Sequence, residues 1–250
     1  MDVARAGANR EGPALEVVDL VKDYGDFRAL KGVSFAVKKG EVFGLIGPNG
    51  AGKTTALRII STILQITSGK VRMFGTDIAE EPNEARKVIS YLPEDAGAYK
   101  NLTGNEYLAF IARFFAQDRE GVSRILAKGV EIADLGDRMD DKVDTYSKGM
   151  TRRLLVARAL MIEPSIAILD ELTSGLDVIN AQEIRKLVKD TARKGTTVLL
   201  SSHNMLEVEL MCDRIALIND GEIVEIGSPA ELKAKHGAEN IEEVFTKVVA

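Results

Sequence analysis

Tryptophan is absent from the 250-residue chain, cysteine occurs once, histidine twice, and the aromatic residues together make up only 5%. Each shortage excludes something. The single thiol, Cys212, cannot close an intrachain disulfide, which fits a reducing, cytosolic setting. No apolar run approaches the ~18 residues a membrane-spanning helix needs, and the N-terminus has no apolar signal-peptide core. The formal net charge of −5 offers no broad cationic footprint, so nucleic acid is not expected as a partner. There is no internal repeat and no low-complexity segment. What the chain does have is 45% hydrophobic residues, enough for a sizeable core in one large domain or one with a subdomain. Residues 1–13 are small, charged and aperiodic, and are expected to form a disordered tail.

Residues 47–54 read Gly47-Pro48-Asn49-Gly50-Ala51-Gly52-Lys53-Thr54, a complete G-x-x-x-x-G-K-[ST] loop, followed by Thr55. The preceding run, Glu41 to Ile46, has the short apolar character of a buried strand, and Thr54 to Gln65 suits a helix. In that context successive backbone N–H groups point at a polyphosphate. Lys53 reaches the β and γ oxygens, and Thr54 offers a hydroxyl to Mg²⁺. The segment implies a nucleoside triphosphate site.

Ile166-Ala167-Ile168-Leu169 form a second buried strand, which delivers Asp170 and Glu171 at its C-terminal end, where open α/β sheets bind ligands. Asp170 is suited to hold Mg²⁺, directly or through water, and Glu171 to polarise or position a water for attack on the γ-phosphate. The remaining chain alternates short strands with helices, the pattern of an α/β protein with a largely parallel sheet. Strands are expected at 15–21, 33–37, 71–74, 88–92, 196–201, 214–219 and 222–226, the last two flanking the Asp220-Gly221 hairpin signal. Between Asn101 and Ile162 no strand is expected. Thr103-Gly104-Asn105-Glu106 reads as a capping box. Behind it Tyr107, Phe110, Ile111, Phe114 and Phe115 fall at helical spacing, a face expected to lie in the core.

Tyr146-Ser147-Lys148-Gly149-Met150, ahead of Thr151–Leu160, resembles the signature segment of ATP-binding-cassette (ABC) ATPases. The usual family form is L-S-G-G-Q; this chain keeps the serine and the second glycine, and Y-S-x-G-M is similar to variants in exporter-type members. Tyr24 resembles the family's adenine-stacking aromatic. Leu172-Thr173-Ser174-Gly175-Leu176-Asp177 resembles the loop crossing the dimer interface, with Leu172 where proline is usual. Ser201-Ser202-His203 is similar to the switch segment that contacts the γ-phosphate. Glu94, in Tyr91-Leu92-Pro93-Glu94-Asp95, stands where the family most often has a metal-sensing glutamine. A carboxylate there still suits a metal or its water.

The resemblance covers residues 14–250. It implies a P-loop NTPase core of mostly parallel sheet, an N-terminal antiparallel β subdomain, and a helical subdomain inserted at about 95–163. It implies ATP and Mg²⁺ as ligands, with Lys53, Glu171 and His203 in catalysis and Thr54, Asp170 and Glu94 at the metal. Two subunits would pack head to tail as a homodimer or pseudo-homodimer, Ser147, Gly149 and Asp177 of one completing the nucleotide site of the other. Integral membrane subunits on a separate chain would place the protein in the cytoplasm, peripheral at the inner face of the cell membrane. The alternative within the resemblance is a single-cassette ATPase serving a cytosolic assembly process. A nucleotide kinase or GTP-binding switch leaves Tyr146–Met150 and His203 unexplained, and no Asn-Lys-x-Asp guanine-reading motif is present.

Overall fold

The computed structural model of the chain describes residues 12–249. The expected tail lies outside them except for Gly12 and Pro13. The chain runs β1 (Leu15–Tyr24), β2 (Phe27–Val37), β3 (Val42–Ile46), α1 (Lys53–Ile60), β4 (Ser68–Met73), β5 (Thr76–Asp77), α2 (Pro82–Val88), β6 (Ile89–Leu92), α3 (Gly104–Ala112) and α4 (Arg119–Ala133). After two short 3₁₀ turns follow α5 (Lys148–Leu160), β7 (Ile166–Asp170), α6 (Val178–Arg193), β8 (Thr197–Ser202), α7 (Met205–Met211), β9 (Arg214–Asn219), β10 (Glu222–Gly227), α8 (Pro229–His236) and α9 (Ile241–Val249).

Two sheets result. The four-stranded one, in order β2-β1-β4-β5, is antiparallel. The six-stranded one runs β10-β9-β3-β8-β7-β6, parallel except for the β9–β10 hairpin at its edge. Its central strands β3, β7 and β8 are buried at every residue, as apolar runs covered on both faces must be. One core fills the space between the two sheets around α1, with Phe35 stacked on Phe43 at 5.3 Å. The other lies on the opposite face, between the six-stranded sheet, α5, α6 and the helical insertion. The expected architecture of mostly parallel core, antiparallel β layer and helical insertion is present.

Local chemistry sets the boundaries. The first hairpin turns at Gly25, in the left-handed region at φ +59°, so β1 and β2 run further than the sequence pattern suggests. Helix α1 stops at Ile60, short of Gln65, because Thr62 is left-handed at φ 62°. The capping box at α3 forms as expected: Thr103 Oγ1 accepts from the Glu106 N–H at 3.1 Å, and the Thr103 N–H donates to Glu106 at 2.8 Å.

The aromatic face does not go where its spacing points. Tyr107 is 2% exposed, but Phe110 is 39%, Phe115 51% and Phe114 70% exposed. Helix α3 ends at Ala112, so Phe114 and Phe115 no longer continue its buried stripe, which instead runs through Gly104, Tyr107, Leu108 and Ala112. The outward rings form an edge-to-face ladder, Tyr99 to Phe110 at 5.7 Å and Phe110 to Phe114 at 5.2 Å.

Candidate active site

The loop after β3 closes tightly against its neighbours, which is why it needs glycine at particular places. A methyl group on Gly47 would lie 2.0 Å from the Ile218 carbonyl oxygen of β9. Gly52, at φ +103°, would meet Leu30 at 2.7 Å and the Ala29 carbonyl at 2.9 Å, so β2 of the antiparallel layer buttresses the loop. Gly52 also caps α1 without any side-chain bond, and no acidic residue occupies the helix's first turn. The N–H groups that open α1 and its positive dipole end are therefore left for an anion.

Lys53 is buried and folds back onto this loop. Its Nζ donates to the carbonyls of Gly47 at 2.8 Å and Pro48 at 3.1 Å and lies 3.6 Å from Glu171 Oε1. Behind it Asp170, fully buried at the end of β7, accepts from Thr54 Oγ1 at 3.4 Å and from the Ser201 hydroxyl on the same oxygen. Its other oxygen accepts from the Tyr91 hydroxyl at 3.4 Å. Burial, together with the Asp170 charge, pushes the Tyr91 phenol up to about 12, so it stays a donor.

Glu171 leaves β7 in the left-handed region, φ 47°, an uncommon conformation for a residue with a Cβ. The turn is held at both ends of the residue. Its N–H donates to the Ser201 carbonyl and hydroxyl, each at 3.2 Å, and its carbonyl accepts from Arg152 at 3.3 Å. That turn swings the carboxylate back over the phosphate loop, where His203 Nδ1 lies 2.8 Å from Oε2 and the His203 N–H donates to the same oxygen at 3.4 Å. One buried carboxylate thus meets a cation from α1 and an imidazole from the end of β8. Gly47–Thr55, Asp170, Glu171 and His203 are brought together at the C-terminal ends of parallel strands.

Ser147, Gly149 and Asp177 form a second group. Ser147 caps α5, accepting from the Met150 N–H at 3.2 Å. Asp177 caps α6, accepting from the Asn180 N–H at 3.0 Å; that bond holds its carboxyl below the usual range. The two helix starts interlock, because a methyl on Gly149 would sit 2.6 Å from the Asn180 side chain. Among the described residues no hydrogen bond or ion pair joins Ser147, Gly149 or Asp177 to the phosphate loop. Tyr24 ends β1 with 46% exposure and the Lys22 ammonium 5.1 Å from its ring centroid, leaving an aromatic face accessible for stacking. Glu94 is exposed; its carbonyl accepts from Arg152 at 3.4 Å, and among the described residues its carboxylate has no hydrogen bond or ion pair.

Three contributors escape motif reading: Tyr91, the Ser201 hydroxyl and Arg152. Arg152 shares helical spacing with Gly149, Val156 and Ala159, and in the structure all four are buried. Burial pulls its guanidinium below the ordinary arginine range against the opposing charges of Glu94, Asp170 and Glu171.

The donors around Asp170 and Thr54 are hard oxygens, the chemistry Mg²⁺ selects. Among the described residues no group of three or more His, Cys, Asp or Glu side chains could hold a metal by itself.

Comparison with known proteins agrees with this geometry. The family model described as "ABC transporter" matches residues 30–174. The linearmycin resistance ATP-binding protein of Bacillus subtilis is 37% identical over 91% of this chain and 73% of its own length. The daunorubicin/doxorubicin resistance ATP-binding protein of Streptomyces peucetius is 36% identical, over 90% and 68% respectively. A solved ATP-binding subunit of an ABC transporter superposes with a TM-score of 0.84 at 28% identity, covering 95% of this chain and all of the other. The chain belongs to the ABC transporter family, as one of its ATP-binding, ATP-hydrolysing subunits.

Proposed function

We propose that this subunit powers export of a small molecule through separate integral membrane subunits, working from the cytoplasm at the inner face of the cell membrane. The observation that carries the hydrolytic part is the Glu171 carboxylate, held between Lys53 and His203 and aimed across the phosphate loop. The direction of transport is argued from the relatives named above, whose names assign them to drug resistance. Among the described residues no helix is long and apolar enough to cross a membrane, so the pathway is assigned to a partner.

In this reading the N–H groups of Gly47–Thr55 and the Lys53 ammonium bind the β- and γ-phosphates, and Tyr24 stacks on adenine. Thr54, Asp170 and, through its loop, Glu94 would hold Mg²⁺, which neutralises phosphate charge when bound. Glu171 takes a proton from, or orients, the attacking water, and His203 keeps that carboxylate in place while facing the γ-phosphate end. Ser147, Gly149 and Asp177, which make no hydrogen bond or ion pair with their own loop among the described residues, serve the nucleotide of a second copy packed head to tail. ATP then favours the closed pair because it touches both copies only there.

The Tyr99–Phe110–Phe114 ladder, with exposed Phe115 beside it, supports contact with the membrane subunit. An exposed aromatic cluster in an aromatic-poor chain marks an interaction surface. The test is reconstitution with the membrane subunit in inside-out vesicles. ATP-dependent uptake into the lumen is expected. Phe114→Asp should abolish partner-stimulated hydrolysis while the isolated chain keeps its own rate. Uptake absent from a fully assembled, ATP-hydrolysing complex would overturn the export reading.

A further inference from the structure

The hydrolytic reading leaves one buried cation without a role. Arg152, on the second turn of α5, is 8% exposed. Its Nη2 bridges two carbonyl oxygens from different elements, Glu94 in the loop after β6 at 3.4 Å and Glu171 in the turn after β7 at 3.3 Å. Its Nη1 is buried and has no hydrogen-bond partner among the described residues. A guanidinium is a rigid planar fork, so one group bonded to both carbonyls fixes the spacing between them. It also ties both to the helix that Ser147 caps and whose first turn carries Gly149.

Charge adds a second constraint. The negative charges of Glu94, Asp170 and Glu171 all favour the charged form of Arg152. Asp170 has Thr54, Ser201 and Tyr91 as donors, and Glu171 has Lys53 and His203. Among the described residues the exposed Glu94 carboxylate has no such donor, while its own carbonyl already rests on Arg152. Arg152 thus keeps an unpartnered buried Nη1 beside the loop that carries Glu94, whose exposed carboxylate makes no ion pair among the described residues.

We infer that Arg152 is a positioning residue with Glu94 as its charge partner, the pair locking the loop after β6 to the Glu171 turn and both to α5. A displacement of α5 then reaches Glu94 and Glu171 together, through one side chain. The kinetic consequence rests on the hydrolytic reading above; the charge pairing does not.

A double-mutant cycle on the nucleotide-free protein tests the pairing: wild type, Glu94→Gln, Arg152→Gln and the double variant, compared by thermal melting. Arg152→Gln should lower the melting temperature, because Glu94, Asp170 and Glu171 lose the cation that their charges favour. In that background Glu94→Gln should raise it again, whereas in the wild type it should not. Strictly additive shifts would overturn the pair. If Arg152→Gln fails to fold, Arg152→Met closes the same cycle with more of the packing kept.

Positioning is tested separately with Arg152→Lys, which keeps the charge and loses the fork. We expect kcat to fall about tenfold or more with KM for ATP within about threefold of wild type. An unchanged kcat would remove the positioning role. If the wild-type chain hydrolysed no ATP at all, the functional reading would fail, while the melting cycle would still decide the pairing.

Discussion

Glu171 and His203 meet through two contacts on one oxygen: Nδ1 of the ring at 2.8 Å and the backbone N–H at 3.4 Å from Oε2. The residues lie 32 positions apart and leave neighbouring parallel strands, β7 and β8. Register places the two strand ends side by side, since Asp170 pairs with Ser201, and the left-handed turn at Glu171 completes the approach. The imidazole is 47% exposed while the carboxylate is 6% exposed, so the pair spans the boundary between core and solvent.

Glu171→Gln keeps the shape of the side chain and removes its capacity to take a proton. Hydrolysis should fall by about a hundredfold or more, while ATP still binds and holds two copies together. Light scattering should show a dimer with ATP and a monomer without it. Adding Ser147→Arg, a bulky cation at the α5 cap, should abolish the dimer. A Glu171→Gln protein that remains monomeric at saturating ATP would remove the head-to-tail arrangement.

Lys53→Ala deletes the cation between the loop carbonyls and Glu171. Turnover should drop by at least about a hundredfold, and nucleotide affinity, read by equilibrium titration, should weaken strongly. Wild-type turnover in the purified variant would contradict the assignment of the phosphate loop.

For Tyr24→Ala the effect should fall on affinity. A stacking ring at the edge of β1 helps ground and transition states alike, so KM should rise more than kcat declines. Steady-state kinetics reporting a loss confined to kcat would mean the ring does not carry the base.

Gly47→Ala should act through stability. The new methyl meets a backbone carbonyl of β9, which cannot step aside as a flexible side chain would. The cost should be about 1–3 kcal/mol, visible as a lower melting temperature in the absence of nucleotide. An unchanged melt would show that the loop and β9 are not in contact.

Legibility tracked how local the determinant was. β7 is found over Ile166–Asp170 as expected, because an apolar run covered on both faces carries its own signature. The phosphate loop reads from glycine chemistry, and the capping box of α3 reads from two residues three apart. The aromatic stripe misleads because periodicity fixes neither which face is buried nor where a helix stops: Phe110 lies within α3 yet is exposed, and α3 ends before Phe114. Arg152 hides for the opposite reason. Its surroundings, the carbonyls of Glu94 and Glu171, come from chain segments 58 and 19 residues away.

The way Lys53 rests in its own loop has a consequence for how a nucleotide would enter. Its ammonium already holds two carbonyl oxygens and has a carboxylate neighbour. Phosphate binding is therefore an exchange of oxygen partners around one ammonium, and not the filling of a bare positive site.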